Sequence, residues 1–263
     1  MNLSNKSTII AIMEKHGLWA SKAFGQNFLI DKDILDEIVE TGNIKPSDHI
    51  IEIGPGLGVL THELCKKAKK VTSIELDKKL PAILAETLSK HKNLNILNED
   101  ALDFIPPTTS YKIIANIPYN ITSPLLNHFL QTENKPKTIT LLVQKEVAEK
   151  ICQLNPKMTV LSLQVAIFGK AKLIKIVSPS SFYPSPKIDS AILHIETYKK
   201  SDPNFFEIKK AKKILKLAKL AFSQRRKKLK NTIGNILKEA KIDLDRRPET
   251  LSIKEWKELI TNS

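Results

Sequence analysis

The chain has 263 residues, with 42 Lys/Arg against 28 Asp/Glu, a formal net charge of +14 and a hydrophobic content of 41%. That length fits one large domain, or one domain with a small appendage, and the composition excludes a disordered or collagen-like chain. No apolar run approaches the roughly 20 residues of a membrane span. The most apolar stretch, 158–168, is broken by Thr159, Ser162 and Gln164. Glu14 and His16 interrupt the N-terminal apolar residues, so no signal-peptide pattern is read there. Two cysteines, Cys65 and Cys152, make neither a disulfide framework nor a metal cluster, and a reduced, cytoplasmic setting is expected with no membrane partner.

In chain order, 7–16 and 31–41 read as amphipathic helices, the first stopped by Gly17. A strand–helix alternation follows. Strands are expected at 49–54, 70–76, 94–100, 112–117, 138–144, 172–177 and 190–196. Helices are expected at 59–69, 78–89, 122–131, 145–154 and 159–168. Ile- and Val-rich strands separated by helices imply a mostly parallel sheet covered on both faces. Only about a dozen residues, rich in Ser and Pro, join the last two strands. That is too short for a helical crossover, so the seventh strand is expected to be antiparallel. Residues 198–204, with Asp202-Pro203, read as a linker, and after it the pattern is helical only. Ser252-x-x-Glu255 forms a capping box for a last helix that buries Trp256, Leu259 and Ile260. The expected division is a catalytic unit at 1–198 and a small basic helical unit at 199–263.

The charge is uneven. From Ser190 onward there are 19 basic and 9 acidic residues, so ten of the fourteen surplus charges lie in the last quarter of the chain. The densest run, 209–230, sets apolar residues at helical spacing among lysines. Such a face suits a polyanion partner and, equally, the plainer reading of a solvated helix surface.

Residues 50–58, Ile-Ile-Glu-Ile-Gly-Pro-Gly-Leu-Gly, end the first strand of the alternation and open a helix. Glycines let the backbone turn tightly and approach a ligand closely. The spacing is G-x-G-x-G, where a dinucleotide fingerprint would be G-x-G-x-x-G. Glu52, just before the loop, would repel phosphates and suits a cationic ligand such as S-adenosylmethionine. Glu75 follows Gly54 by 21 residues, a spacing that sets a carboxylate on ribose hydroxyls. Asp100 closes the third expected strand, where it could accept from an adenine amine.

Asn116-Ile117-Pro118-Tyr119 follows the fourth expected strand. An exocyclic adenine amine is a poor nucleophile because its lone pair is delocalised into the ring. The Asn116 side-chain oxygen and the Ile117 carbonyl are acceptors for its two hydrogens, aimed by the restraint of Pro118. Tyr119 could stack on an unpaired base, and Phe182 is the candidate for the second face.

At this point the chain resembles the ribosomal RNA adenine N6,N6-dimethyltransferases of the small subunit. The matching blocks are residues 25–31 (Gly-Gln-Asn-Phe-Leu-Ile-Asp), 52–56 (Glu-Ile-Gly-Pro-Gly) and 116–120 (Asn-Ile-Pro-Tyr-Asn), with 144–147 (Gln-Lys-Glu-Val), 182–190 (Phe-x-Pro-x-Pro-Lys-Ile-Asp-Ser) and 222–227 (Phe-Ser-Gln-Arg-Arg-Lys). The resemblance implies an α/β fold, a Rossmann-like class I methyltransferase sheet of seven strands with a small all-α C-terminal domain. It implies S-adenosylmethionine as cofactor, with Asn27, Leu29, Gly54, Gly56, Glu75, Asp100 and Asn116 as its contact positions. Asn116, Tyr119 and Phe182 look like the pocket for the target adenine. The substrate implied is a hairpin near the 3′ end of small-subunit (16S) RNA, in an immature small ribosomal subunit, with two methyls added to each of two adjacent adenines. Arg225, Arg226, Lys227 and Lys228 are the expected RNA contacts, no metal is expected, and a monomer suffices. Two positions depart from the family pattern. Met158-Thr159-Val160 stands where many members carry an aromatic-Gly pair, and Lys22 is the one basic residue just before Gly25.

Two rival functions share this fold: a macrolide-resistance methylase acting on large-subunit RNA, and a nucleic-acid-binding assembly or transcription factor without methyl transfer. The blocks at 182–190 and 222–227 favour the small-subunit group. A nicotinamide dehydrogenase is disfavoured by the glycine spacing.

Overall fold

The computed structural model describes residues 3, 5–18, 26–224, 226–237 and 242–259. Arg225, Gly25, Lys22 and Ile260 lie outside the described residues. In order, the chain forms α1 (Lys6–Lys15), β1 (Phe28–Leu29), α2 (Lys32–Thr41), β2 (His49–Ile53), α3 (Val59–Lys67), β3 (Lys70–Glu75), α4 (Leu80–Thr87), β4 (Leu94–Asn98) and β5 (Lys112–Asn116). It continues with α5 (Thr122–Leu130), β6 (Thr138–Gln144), α6 (Lys145–Cys152), α7 (Val160–Phe168), β7 (Gly169–Val177), β8 (Phe182–Tyr183), β9 (Ser190–Thr197), α8 (Ile208–Phe222) and α9 (Ile253–Glu258).

The main sheet has the order β4-β3-β2-β5-β6-β9-β7. The pairs from β4 to β6 are parallel, whereas β9 runs antiparallel to both β6 and β7. Side chains alternate along each central strand, as the two-residue period of a strand demands. Ile51, Ile113, Leu141 and Leu193 face the layer of α5–α9. Ile50, Ile114, Leu142 and Ile192 face the layer of α1–α4.

Local chemistry sets several boundaries. Asp31 caps α2, its carboxylate accepting from the backbone of Asp33 and Ile34 at 3.1 and 3.2 Å. The same side chain accepts from the Ser181 hydroxyl at 2.8 Å, tying the start of α2 to the segment before β8. Thr159 caps α7 in a reciprocal box with Ser162, so the Met-Thr-Val variant still starts a helix in the ordinary way. Ser252 and Glu255 form the expected box at α9.

Strands β7, β1 and β8, like the end of β4, differ from the sequence reading. The strand expected at 172–177 begins at Gly169, directly from α7. A Cβ on Gly169 would meet the Glu196 carbonyl oxygen at 2.4 Å, so glycine lets β7 and β9 pair from their ends. The pair β1–β8, with Leu29 opposite Phe182, forms a separate two-stranded sheet too short for any periodicity to reveal.

The segment after 198 packs back onto the sheet. Ala211, Ile214, Ala218 and Phe222 of α8 join the same apolar layer as α5 and α7. The rings of Phe222 and Trp256 stack at 6.0 Å, with Trp256 fully buried. The opposite side of α8 exposes Lys209, Lys210, Lys212, Lys213, Lys216 and Lys219.

Candidate active site

Ligands of open α/β sheets bind where parallel strands end. Here the ends of β2, β3 and β5 and the turn after β4 surround one cleft, closed on another side by residues 26–29. The loop after β2 shapes its floor. Gly56 has φ +58°, and its backbone N–H donates to Glu75 Oε2 at 3.3 Å. Gly58 has φ +86°, and a Cβ there would meet Leu88 Cδ1 at 2.8 Å. The third glycine of G-x-G-x-G is therefore needed both for its left-handed backbone and for its close approach to the residue that follows α4.

The register of β2 and β3 places Glu52 opposite Ser73, whose hydroxyl donates to Glu52 Oε2 at 2.7 Å. Glu52 is 1% exposed. Burial raises its carboxyl to about 7, helped by the neighbouring charge of Glu75 and opposed by the Ser73 hydroxyl. Glu75 ends β3, with Oε1 accepting from the Asp77 backbone at 2.8 Å; burial raises its carboxyl as well. β4 stops at Asn98, so Asp100 lies in the following turn and not on the strand, where its Oδ1 accepts from the Leu102 backbone at 2.8 Å. Four carboxylates line the cleft, namely Glu52, Glu75, Glu99 and Asp100. No Lys, Arg or His lines it among the described residues.

Asn116 is the last residue of β5, and its Nδ2 donates to the Asn27 carbonyl oxygen at 3.2 Å. A carbonyl can only accept, so this bond fixes the amide with its oxygen as the remaining acceptor. Pro118 holds φ −55° and ψ 133° and starts a 3-10 turn, Tyr119–Ile121. The Tyr119 hydroxyl lies 2.6 Å from Ser190 Oγ at the start of β9, and burial raises its pKa.

The cleft thus gathers Asn27, Leu29, Gly54, Gly56, Glu75, Asp100, Asn116 and Tyr119. Phe182 lies off its wall. It is 2% exposed, in the apolar layer of α1–α4, paired with Leu29. Arg226, Lys227 and Lys228 are exposed after α8, and none of them lines the cleft. Lys228 and Lys230 both pair with Asp245, at 2.9 and 2.8 Å. Sequence reasoning used the charge of Glu52 without naming it as a contact, although an acid before the glycine loop was the available signal. Nothing in the sequence linked Ser190 to Tyr119.

The strand order with its antiparallel β9, and the acid-lined cleft behind a glycine loop, define a class I methyltransferase fold. The model of the ribosomal RNA adenine dimethylase family matches residues 18–259. The chain belongs to that family. It is 38% identical over 270 residues to the ribosomal RNA small subunit methyltransferase A of Dehalococcoides mccartyi, a match covering 94% of this chain and 90% of that one. Among solved structures, a dimethyladenosine transferase from Plasmodium falciparum is similar at a TM-score of 0.76, with 26% identity over 89% of this chain and 96% of that one. The 23S rRNA methyltransferase ErmE is similar at a TM-score of 0.70, with 28% identity over 89% of this chain and 98% of that one.

Proposed function

We propose that this chain is a ribosomal RNA adenine dimethyltransferase. It carries methyl groups from S-adenosylmethionine to the N6 amines of two adjacent adenosines in a hairpin near the 3′ end of small-subunit RNA. The substrate is the immature small ribosomal subunit. One observation supports the chemistry most directly. Asn116 offers a fixed amide oxygen in the lining of a cleft that also holds four carboxylates and, among the described residues, no cation.

That donor set fits a ligand carrying a sulfonium and an ammonium, and it disfavours a pyrophosphate. When bound, S-adenosylmethionine supplies an electrophilic methyl on positively charged sulfur. Glu75, at the end of β3, would accept from the ribose hydroxyls, and Asp100 from the adenine amine of the same ligand. Gly54 and Gly56 would let the loop lie close beneath it, with Asn27 and Leu29 lining the same cleft.

Asn116 Oδ1 and the Ile117 carbonyl accept the two hydrogens of the target amine and aim its lone pair. No strong base is required, because the methylated amine sheds its proton readily. Orientation supplies most of the rate, worth up to about 7–11 kcal/mol in well-aligned cases. Tyr119 offers its ring to an unpaired adenine. For Phe182 to supply the second face, its ring must leave the apolar layer in which it is now buried.

Residues 1–198 form the catalytic unit of this reading, and 199–263 the basic unit that holds RNA. Arg225, Arg226, Lys227 and Lys228 are its proposed contacts, together with the lysine face of α8. A second reading, methylation of large-subunit RNA, draws on the similarity to the 23S rRNA methyltransferase ErmE. Purified protein with labelled cofactor, offered immature small subunits or protein-free large-subunit RNA, separates the two. Label in the small-subunit RNA is expected, and label in large-subunit RNA alone would overturn the proposal.

A further inference from the structure

Tyr119 and Ser190 lie 71 residues apart in two different sequence blocks, yet their hydroxyls meet at 2.6 Å. The two residues are held very differently. Ser190 is fully buried at the first position of β9, paired in register with Gln144 of β6 on one side and Val177 of β7 on the other. The preceding carbonyl, that of Asp189, accepts from the Lys145 backbone at 3.0 Å. Tyr119 sits half-buried in a single 3-10 turn between β5 and α5. The Thr122 hydroxyl donates to its carbonyl at 3.1 Å, which fixes the backbone and leaves the ring its own two torsions.

The serine is therefore the rigid partner and the tyrosine the adjustable one. The same sheet carries the amine acceptor, because Asn116 pairs with Leu142 of β6 and Leu142 pairs with Ile192 of β9, two residues beyond Ser190. We propose that Ser190 is a positioning residue, whose hydroxyl sets the angle of the Tyr119 ring relative to Asn116. This rests on the stacking role given to Tyr119 above. The phenol stays protonated and spends its polar end on Ser190, so the ring meets the base as an aromatic face and not as a base catalyst. A ring free to rotate would stack on the flipped adenine at varying tilt, and fewer encounters would bring the amine in line with the methyl.

The test is a double-mutant cycle, with methylation of immature small subunits measured at steady state. Ser190→Ala and Tyr119→Phe remove the same bond from its two ends, and each is expected to lower kcat about fivefold, the loss of one neutral hydrogen bond. The double variant is expected to be no slower than either single one. KM for the particle and the affinity for S-adenosylmethionine should stay within about twofold, and Tyr119→Phe should still fold, melting lower only by the few degrees that an unpaired buried Ser190 hydroxyl costs. If buried Ser190→Ala fails to fold, Tyr119→Phe carries the test, because it leaves the strand untouched. Wild-type kcat in Tyr119→Phe beside an inactive Tyr119→Ala would overturn the positioning role and leave stacking in place. Losses that multiply in the double variant would also overturn it. Wild-type kcat in Tyr119→Ala would bring down the stacking role itself.

Discussion

The cleft and the outer face of α8 use charge in opposite ways. In the cleft, Glu52 and Glu75 are 1% and 6% exposed, and each has a hydrogen-bond donor at a set distance. On α8, six lysines project into water from one helix, and nearby Lys228 and Lys230 share a single aspartate. Buried charge acts locally and strongly because little water screens it, whereas exposed charge acts collectively and through its counterions. On the proposed reading, the cleft selects one small ligand by geometry, and the lysine face attracts a long polyanion by field. Single substitutions should matter in the first region, and only grouped ones in the second.

The sharpest break in that comparison comes from Asn116→Ala, which removes the aimed acceptor. It is expected to cost on the order of 10²- to 10³-fold in kcat, as loss of one preorganised polar group does elsewhere. Labelled-methyl incorporation reads it, with particle binding unchanged. Next comes the grouped change Lys209, Lys212, Lys216 and Lys219→Gln. RNA affinity should fall, and the log–log salt slope should flatten by roughly 0.7–0.9 for each phosphate no longer neutralised. An unchanged slope would show that α8 does not meet phosphate.

A smaller effect is expected from pH. Glu52 ordinarily titrates at 4.5, and burial holds it at about 7 in the fold. The folded protein binds that proton more tightly than the unfolded chain does. The contribution of Glu52 to stability is thus greatest below its ordinary value, declines as pH rises toward 7, and levels off above. The difference amounts to about 3 kcal/mol. Melting of the ligand-free protein across this window should show the decline, and Glu52→Gln should lessen it. The ionised carboxylate attracts a cationic ligand, so affinity for S-adenosylmethionine should rise over the same range in the wild type and less so in Glu52→Gln. The smallest effect belongs to any single α8 lysine. Lys216→Gln should change RNA affinity by no more than about threefold, and a larger drop would mean a specific contact and not a diffuse field.

The two regions were also unequally legible. Strand and helix periodicity exposed the seven strands and the amphipathic α8, because each rests on many side chains facing one way, and the short connection before the seventh strand exposed its antiparallel direction. The glycine loop, Glu75 and Asn116 were read to neighbouring strand ends because backbone geometry and strand spacing restrict where they fall, and they do line one cleft. What stayed hidden depends on partners distant in sequence. The pairing of Leu29 with Phe182 buries a ring that the sequence alone offered as a stacking face. The Ser190–Tyr119 bond spans two blocks with no shared period. Asp100 moved from strand to turn because Asn98 closes β4, its side chain donating to the Glu75 carbonyl at 2.7 Å.

The most direct measurement is mass spectrometry of small-subunit RNA from cells with and without this chain. Dimethyladenosine near the 3′ end is expected to vanish without the chain and to return with the wild type but not with Asn116→Ala. Undiminished dimethyladenosine in the cells that lack it would contradict the assignment of both reaction and substrate.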